Sequence, residues 1–172
     1  SFSSTIQMSA VQTSVYANPV TDDVVFNLYD DKGNILQYTG KDGVITSFLW
    51  VYKQQYPVAK VVGKTYAQIS AVVTMSVLNL PSSDAALRTE LNNLRSLSNC
   101  FVSTYSYIPL VGISSETDPN NTTTYYEYDN FNRLVLIRDM NNTVLKRFCY
   151  NYYGQQDNCG GALDPGNTGN EV

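Results

Sequence analysis

Val25-Phe26-Asn27-Leu28-Tyr29-Asp30-Asp31-Lys32-Gly33-Asn34-Ile35-Leu36-Gln37-Tyr38 reads as a strand, a turn and a returning strand. Val25 to Tyr29 is rich in β-branched and aromatic residues, which suit a half-buried pleated surface. Asp30 to Asn34 gathers the residues that accept a left-handed backbone or fold a side chain onto nearby N–H groups. Ile35 to Tyr38 then returns. Lys41-Asp42-Gly43 makes a second turn, and Val44 to Tyr52 a third strand. Hairpin follows hairpin at short intervals, the mark of an antiparallel meander.

The same pattern resumes from Phe101 to Tyr153. Val102 to Tyr107 alternates, Asp118-Pro119-Asn120-Asn121 turns, and Thr122 to Tyr128 alternates again. Further turns fall at Asn130-Phe131-Asn132 and Asp139-Met140-Asn141-Asn142. Between the β zones the period changes. Tyr66, Ile69, Val73, Val77 and Leu80 fall at helical spacing and predict one amphipathic helix, ended by Pro81. Ser82, Ser83 and Asp84 offer N-caps for a second helix, with Leu87, Leu91 and Leu94 on one stripe. The expected organisation is a β-hairpin segment over 1–63, a helical insertion over 64–99, a second β segment over 100–154 and a polar, Gly-rich tail over 155–172. The expected fold is mainly β, a curved antiparallel hairpin sheet with a two-helix insertion. The insertion reads first as a cap over the sheet, and second as a partner-binding helix pair.

Laid over one another, the two β zones form an internal repeat. At a constant offset of 99, Tyr29-Asp30 falls on Tyr128-Asp129, Gly33 on Asn132, Ile35 on Leu134, and Asp42-Gly43 on Asn141-Asn142. After a one-residue slip, Phe48-Leu49-Trp50-Val51-Tyr52 falls on Phe148-Cys149-Tyr150-Asn151-Tyr152. Gly or Asn is needed where the turn takes a positive φ. Asp before the turn can close an Asx-turn. Alternating aromatics set rings side by side on one face.

Tyr125-Tyr126-Glu127-Tyr128-Asp129-Asn130-Phe131-Asn132-Arg133-Leu134 closely resembles the core motif of RHS (rearrangement hotspot) or YD-repeat proteins, and Tyr29-Asp30 through Asn34 looks like a second copy. Pro109-Leu110-Val111-Gly112-Ile113, Thr117-Asp118-Pro119 and the run Asn34 to Tyr56 look like the variety carried by large exported proteins of some Gram-negative bacteria. The likeness covers Val24 to Tyr153. Asn121 and Asn132 stand where that family usually has glycine. The resemblance implies a non-catalytic scaffold at the cell surface, outer-membrane associated and exported by a type IX-like route. Such proteins form shells that enclose a toxin, or scaffolds that contact other cells. It also implies repeat-motif, structural roles for Tyr29, Asp30, Gly33, Trp50, Tyr126, Tyr128, Asp129 and Arg133. Two repeats around a helical insert are too few for a hollow shell, so the expected partners are neighbouring repeats of a longer parent protein, or other protein chains.

Composition points the same way. Of 172 residues, 43% are hydrophobic, so a core is affordable in size, yet only 15% are charged and 14 are tyrosine. Tyrosine packs a ring and keeps one wet end, which suits half-exposed sheets. A net charge of −4 with scattered Lys and Arg argues against nucleic acid. Histidine is absent, which removes the commonest general base and metal ligand. No cofactor is expected. Asp30 and Asp129 read as turn-makers rather than a catalytic pair. Trp50 and its tyrosine neighbours read first as sheet packing, and second as a platform on which a glycan stacks; an adhesin-like carbohydrate- or protein-binding module is therefore the competing function. Cys149 and Cys159 could close a short disulfide loop, with buried free thiols the plainer alternative for the three cysteines. No apolar run reaches the ~20 residues that cross a bilayer. The opening residues lack an initiator Met and a charged leader, so the chain is expected to begin after processing or inside something larger.

Overall fold

The computed structural model describes residues 7–14 and 19–150. Ten strands follow one another: β1 (Ala10–Thr13), β2 (Thr21–Tyr29), β3 (Ile35–Gly40), β4 (Ile45–Val51), β5 (Tyr56–Val62), β6 (Phe101–Ile108), β7 (Gly112–Thr117), β8 (Thr123–Tyr128), β9 (Leu134–Asp139) and β10 (Val144–Arg147). They form one sheet in the order of the chain, each strand antiparallel to the next. The fold is mainly β, a hairpin meander with a helical insertion, as the turn spacing predicts.

One five-residue turn makes five of the connections. At 30–34, 40–44, 118–122, 129–133 and 139–143, the first residue's N–H donates to the fifth residue's carbonyl, and the fourth residue's N–H donates back to the first carbonyl. The fourth residue must take a positive φ, and Gly33, Gly43, Asn121, Asn132 and Asn142 stand there at 85, 77, 64, 60 and 67°. This is a type I turn followed by a left-handed residue, a favoured hairpin closure. Glycine meets no Cβ penalty there, and asparagine tolerates the region. Where the turn opens with Asp, its Oδ1 accepts the fifth residue's N–H, at 2.8 Å in Asn34, Thr122 and Thr143 and 3.0 Å in Arg133.

The helical insertion between β5 and β6 departs from the two-helix expectation. It holds α1 (Tyr66–Ser70), α2 (Met75–Asn79), α3 (Asp84–Asn92) and a 3₁₀ turn over Asn93–Ser96. The first predicted helix is broken in two. Thr65 and Gln68 close a capping box on α1, but Val72-Val73-Thr74 is a β-branched run that resists helix, and Thr74 starts afresh as the N-cap of α2. The break rephases the stripe: Ile69, Val73 and Leu78 are buried, whereas Val77 and Leu80 are exposed. Glu90 accepts the Thr74 N–H at 2.5 Å, giving this restart a partner on α3. The second predicted helix begins where expected, with Ser83 Oγ accepting from Ala86 N–H at 3.1 Å, and Leu87, Leu91 and Leu94 all buried.

These helices cover one face of the middle strands, α1 against β4 and α3 against β6. Residues opposite one another in the register share a face, and Leu49, Ala59, Thr104 and Thr117 line up across four strands, all buried. The core is aliphatic under the helices: Leu49, Val51, Val58, Val61, Ile69, Leu78, Leu87, Leu91 and Leu94 are fully buried. Toward β7 it turns to hydroxyls that satisfy each other, Ser106 with Ser115 at 2.6 Å and Thr117 with Thr123 at 3.0 Å. Phe26, Tyr38 and Phe48 form a half-buried ring ladder across β2, β3 and β4, with centroids 6.4 and 6.0 Å apart. No helix among the described residues is long and apolar enough to cross a membrane.

Candidate functional site

Two features stand out, a regular one that repeats and an irregular one that does not. The regular one begins with β-bulges. The register slips just before Tyr29, Trp50, Tyr107 and Tyr128, near the ends of β2, β4, β6 and β8. A bulge re-aims the side chain that follows it. Each of these aromatics then donates its polar tip to a backbone carbonyl: Tyr29 to Met8 at 2.6 Å, Trp50 Nε1 to Ile35 at 2.9 Å, Tyr107 to Pro57 at 2.9 Å and Tyr128 to Ile113 at 3.0 Å. Tyr150 does the same to Leu134 at 2.9 Å. Every acceptor lies in or beside the strand before the donor's own. Every second strand is therefore latched to the strand before it by one aromatic tip.

The latches expose a finer repeat than the 99-residue offset. Tyr29, Trp50, Tyr107, Tyr128 and Tyr150 stand 21, 57, 21 and 22 residues apart. The long interval is one 21-residue period plus 36 residues, the length of segment 64–99. Two latches, Trp50 to Ile35 and Tyr150 to Leu134, are equivalent in the overlay of the two β zones, donor on donor and acceptor on acceptor. Trp50 and Tyr107 share the role of the tyrosine before Asp but are not followed by Asp. The Tyr-Asp pair therefore does not mark them as latches, although Trp50 already stands among the repeat-motif residues; the 21-residue recurrence of an aromatic marks both.

The motif residues cluster around these latches. Asp30 accepts the N–H groups of Lys32 and Asn34 on Oδ1 and the Asn34 amide on Oδ2. Asp129 repeats this with Phe131 and Arg133 N–H on Oδ1 and Arg133 Nε on Oδ2 at 2.7 Å. The Arg133 side chain first, and then the two backbone N–H groups, hold the Asp129 carboxyl below the ordinary carboxylate range. The Arg133 guanidinium also lies over the Tyr150 ring, 4.4 Å from its centroid. Tyr126 reaches Glu116 at 3.4 Å, and burial, then the Glu116 charge, push its phenol up. Cys149 is disulfide-bonded, Cys100 is a half-buried free thiol, and Cys159 lies outside the described residues. Among the described residues no three Cys, Asp or Glu side chains converge as a metal site would need.

Gly112 is the tightest point of a latch. A Cβ there would stand 2.3 Å from the Tyr128 hydroxyl oxygen and 2.9 Å from Cζ. Gly112→Ala is therefore expected to push the hydroxyl off Ile113 and destabilise the chain by about 1–3 kcal/mol. A urea midpoint equal to that of the parent chain would show that Tyr128 gives way freely.

The irregular feature is a cleft of about 750 Å³ where the insertion meets the β4–β5 turn. Among the described residues it is lined by Trp50, Tyr52, Lys53, Gln54 and Gln55 from that hairpin, Tyr66, Met75, Asn79 and Leu80 from the insertion, and Asp30 and Leu36. The β4–β5 turn does not use the five-residue closure. Tyr52, Lys53 and Gln54 lie in succession in the left-handed region, at φ 53, 61 and 62°. Three such non-glycine residues carry about 1–2 kcal/mol of strain each. The neighbouring turn holds them: Lys32 Nζ donates to the Lys53 carbonyl, Asn34 Nδ2 to the Gln54 carbonyl at 2.8 Å, and Gln54 Nε2 to Asp31 Oδ1 at 2.7 Å. Burial pushes up the Tyr52 phenol, and pushes up that of Tyr66 with help from the Asp30 charge.

Of the motif residues, only Asp30 and Trp50 border this cleft; Gly33 sits in the adjoining turn, and Tyr126, Tyr128, Asp129 and Arg133 lie in the other half of the sheet. The remaining lining residues lie outside the Tyr-Asp motifs. They come from three stretches far apart in the chain, joined only by folding. No family model and no curated protein gives a match to this chain.

Proposed function

We propose that the chain is a non-catalytic scaffold segment of an exported cell-surface protein of the RHS/YD-repeat kind, outer-membrane associated and carried by a type IX-like route. The observation that carries the scaffold reading is the aromatic latch that recurs five times, at or just past the end of every second strand. A structure assembled from one repeated joint is suited to extension and to holding neighbouring repeats of a parent protein or another chain. The surface and export parts rest on the Tyr-Asp motifs and the low-charge, tyrosine-rich composition. Asp30 and Asp129, the carboxylates of the Tyr-Asp motifs, are engaged in turns, and the chain has no histidine.

Deleting residues 108–128 removes one period and joins Tyr107 directly to Asp129, recreating a Tyr-Asp turn. The shortened chain is expected to keep its β circular dichroism and unfold cooperatively in urea, at a lower midpoint. An unfolded product would overturn the modular reading. Turnover of glycoside, ester or peptide substrates by the full chain would overturn the non-catalytic one.

The cleft favours a second reading, an adhesin-like module that displays a ligand site on the scaffold. In repeat proteins, departures from the repeat commonly carry the binding surface.

A further inference from the structure

We propose that the cleft between the β4–β5 turn and the helical insertion binds a short neutral saccharide, through the ring surfaces of Trp50, Tyr52 and Tyr66 and the polar groups of Gln55 and Asn79. This rests on the binding-module reading and gives it a ligand class. The site lies where the 21-residue period is broken, so the scaffold itself does not require it. Its size falls within the range of about 300–1,000 Å³ usual for small-ligand sites, with room for roughly two or three pyranose rings.

The chemistry of the lining selects the class. Trp50 has its indole N–H committed to Ile35, so its offering to a ligand is ring surface. The apolar C–H faces of a pyranose match such surfaces. The side-chain amides of Gln55 and Asn79 and the Tyr66 hydroxyl have no hydrogen-bond partner among the described residues, and vicinal hydroxyls are what planar amides pair with. Lys53 and Asp30 are the charged groups of the wall among the described residues and are opposite in sign, and both Asp30 oxygens already accept hydrogen bonds within their own turn. The two charges balance, so this wall carries no net charge to select an ionic ligand. A peptide is the weaker fit, because β4 and β5 are paired on both sides and offer no strand edge to extend. The left-handed turn, held from outside by Lys32, Asn34 and Asp31, presents the polar groups in one preset geometry, which lowers the ordering cost of binding.

Trp50 is the sole tryptophan, so its fluorescence reports on this cleft alone. The full chain is titrated with neutral trisaccharides of glucose, galactose, mannose and N-acetylglucosamine, with a sulfated trisaccharide and an apolar tripeptide as comparisons. A saturable change is expected with at least one neutral sugar. Tyr66→Phe and Gln55→Ala should each weaken it about tenfold, the worth of one hydrogen bond, with urea midpoints unchanged. Saturation by the tripeptide or the sulfated sugar alone would overturn the neutral saccharide and leave the binding module standing. Silence with every probe would remove both. Neutral-sugar binding that ignores both variants would overturn this assignment of contacts.

Discussion

Leu91→Ala is expected to lower the stability of the chain by about 2–5 kcal/mol, read as a fall in the urea midpoint at constant slope. Leu91 is fully buried in α3, which packs on β6, and its core includes Leu49, Val61, Leu78 and Leu87. Truncation loses the transfer energy of the removed atoms and leaves a cavity that rigid strands beneath cannot fill. A domain of this size has about 5–15 kcal/mol in all, so the loss is a large fraction of it. Leu80→Ala is the internal comparison. The sequence places Leu80 on the same kind of apolar stripe, but it is 86% exposed, so its truncation should shift stability by no more than about 0.5 kcal/mol. Equal losses for the two variants would mean that the insertion does not sit on the sheet as described.

The second large effect is alkaline. Burial pushes the phenols of Tyr52, Tyr66, Tyr105, Tyr107, Tyr126 and Tyr128 above their ordinary value of 10, and that of Tyr107 up to about 12. The folded state thus holds these protons after the unfolded chain has lost them. Their contribution is fully present below pH 10 and is lost as pH rises through the folded values, toward pH 12. For Tyr107, whose ring is half-exposed, the loss comes to about 1–2 kcal/mol after allowing for solvent screening. The other five tyrosines act in the same direction. Tyrosinate absorbance and far-ultraviolet circular dichroism should therefore change together, in one cooperative step between pH 10 and 12. Independent titration near pH 10 with the sheet intact would contradict the packing of these rings.

Legibility in the sequence followed the range of the interactions. The turns at 30–34 and 129–133 could be read directly, because Asp, a left-handed residue and their hydrogen bonds all lie within five residues. Alternation located most strands for the same reason. Periodicity alone predicts one helix where there are two, because Val77 and Leu80 keep helical spacing while Thr74 restarts the chain in another phase. Trp50 and Tyr107 were legible as aromatics but not as latches, since a latch needs a bulge and a carbonyl on another strand. The cleft was almost invisible. Trp50 and its tyrosine neighbours hinted at a platform, but Gln55 and Asn79 gain meaning only when the insertion folds back over the β4–β5 turn.

The strand order has a consequence for how the chain folds. Every hydrogen-bonded neighbour in the sheet is also a neighbour in the chain. Such a topology is rich in short-range contacts, which favours rapid folding for a β protein. One junction differs, since β5 and β6 are separated by residues 63–100. Closing a loop of that length in place of a tight turn costs about 2 kcal/mol more, at about 0.6 kcal/mol for each doubling. The strands before and after it can each zip up one hairpin at a time, and their joining is the slow encounter. Because α1 packs on β4 and α3 on β6, the segment that lengthens the loop also carries the clasp that holds the two half-sheets together.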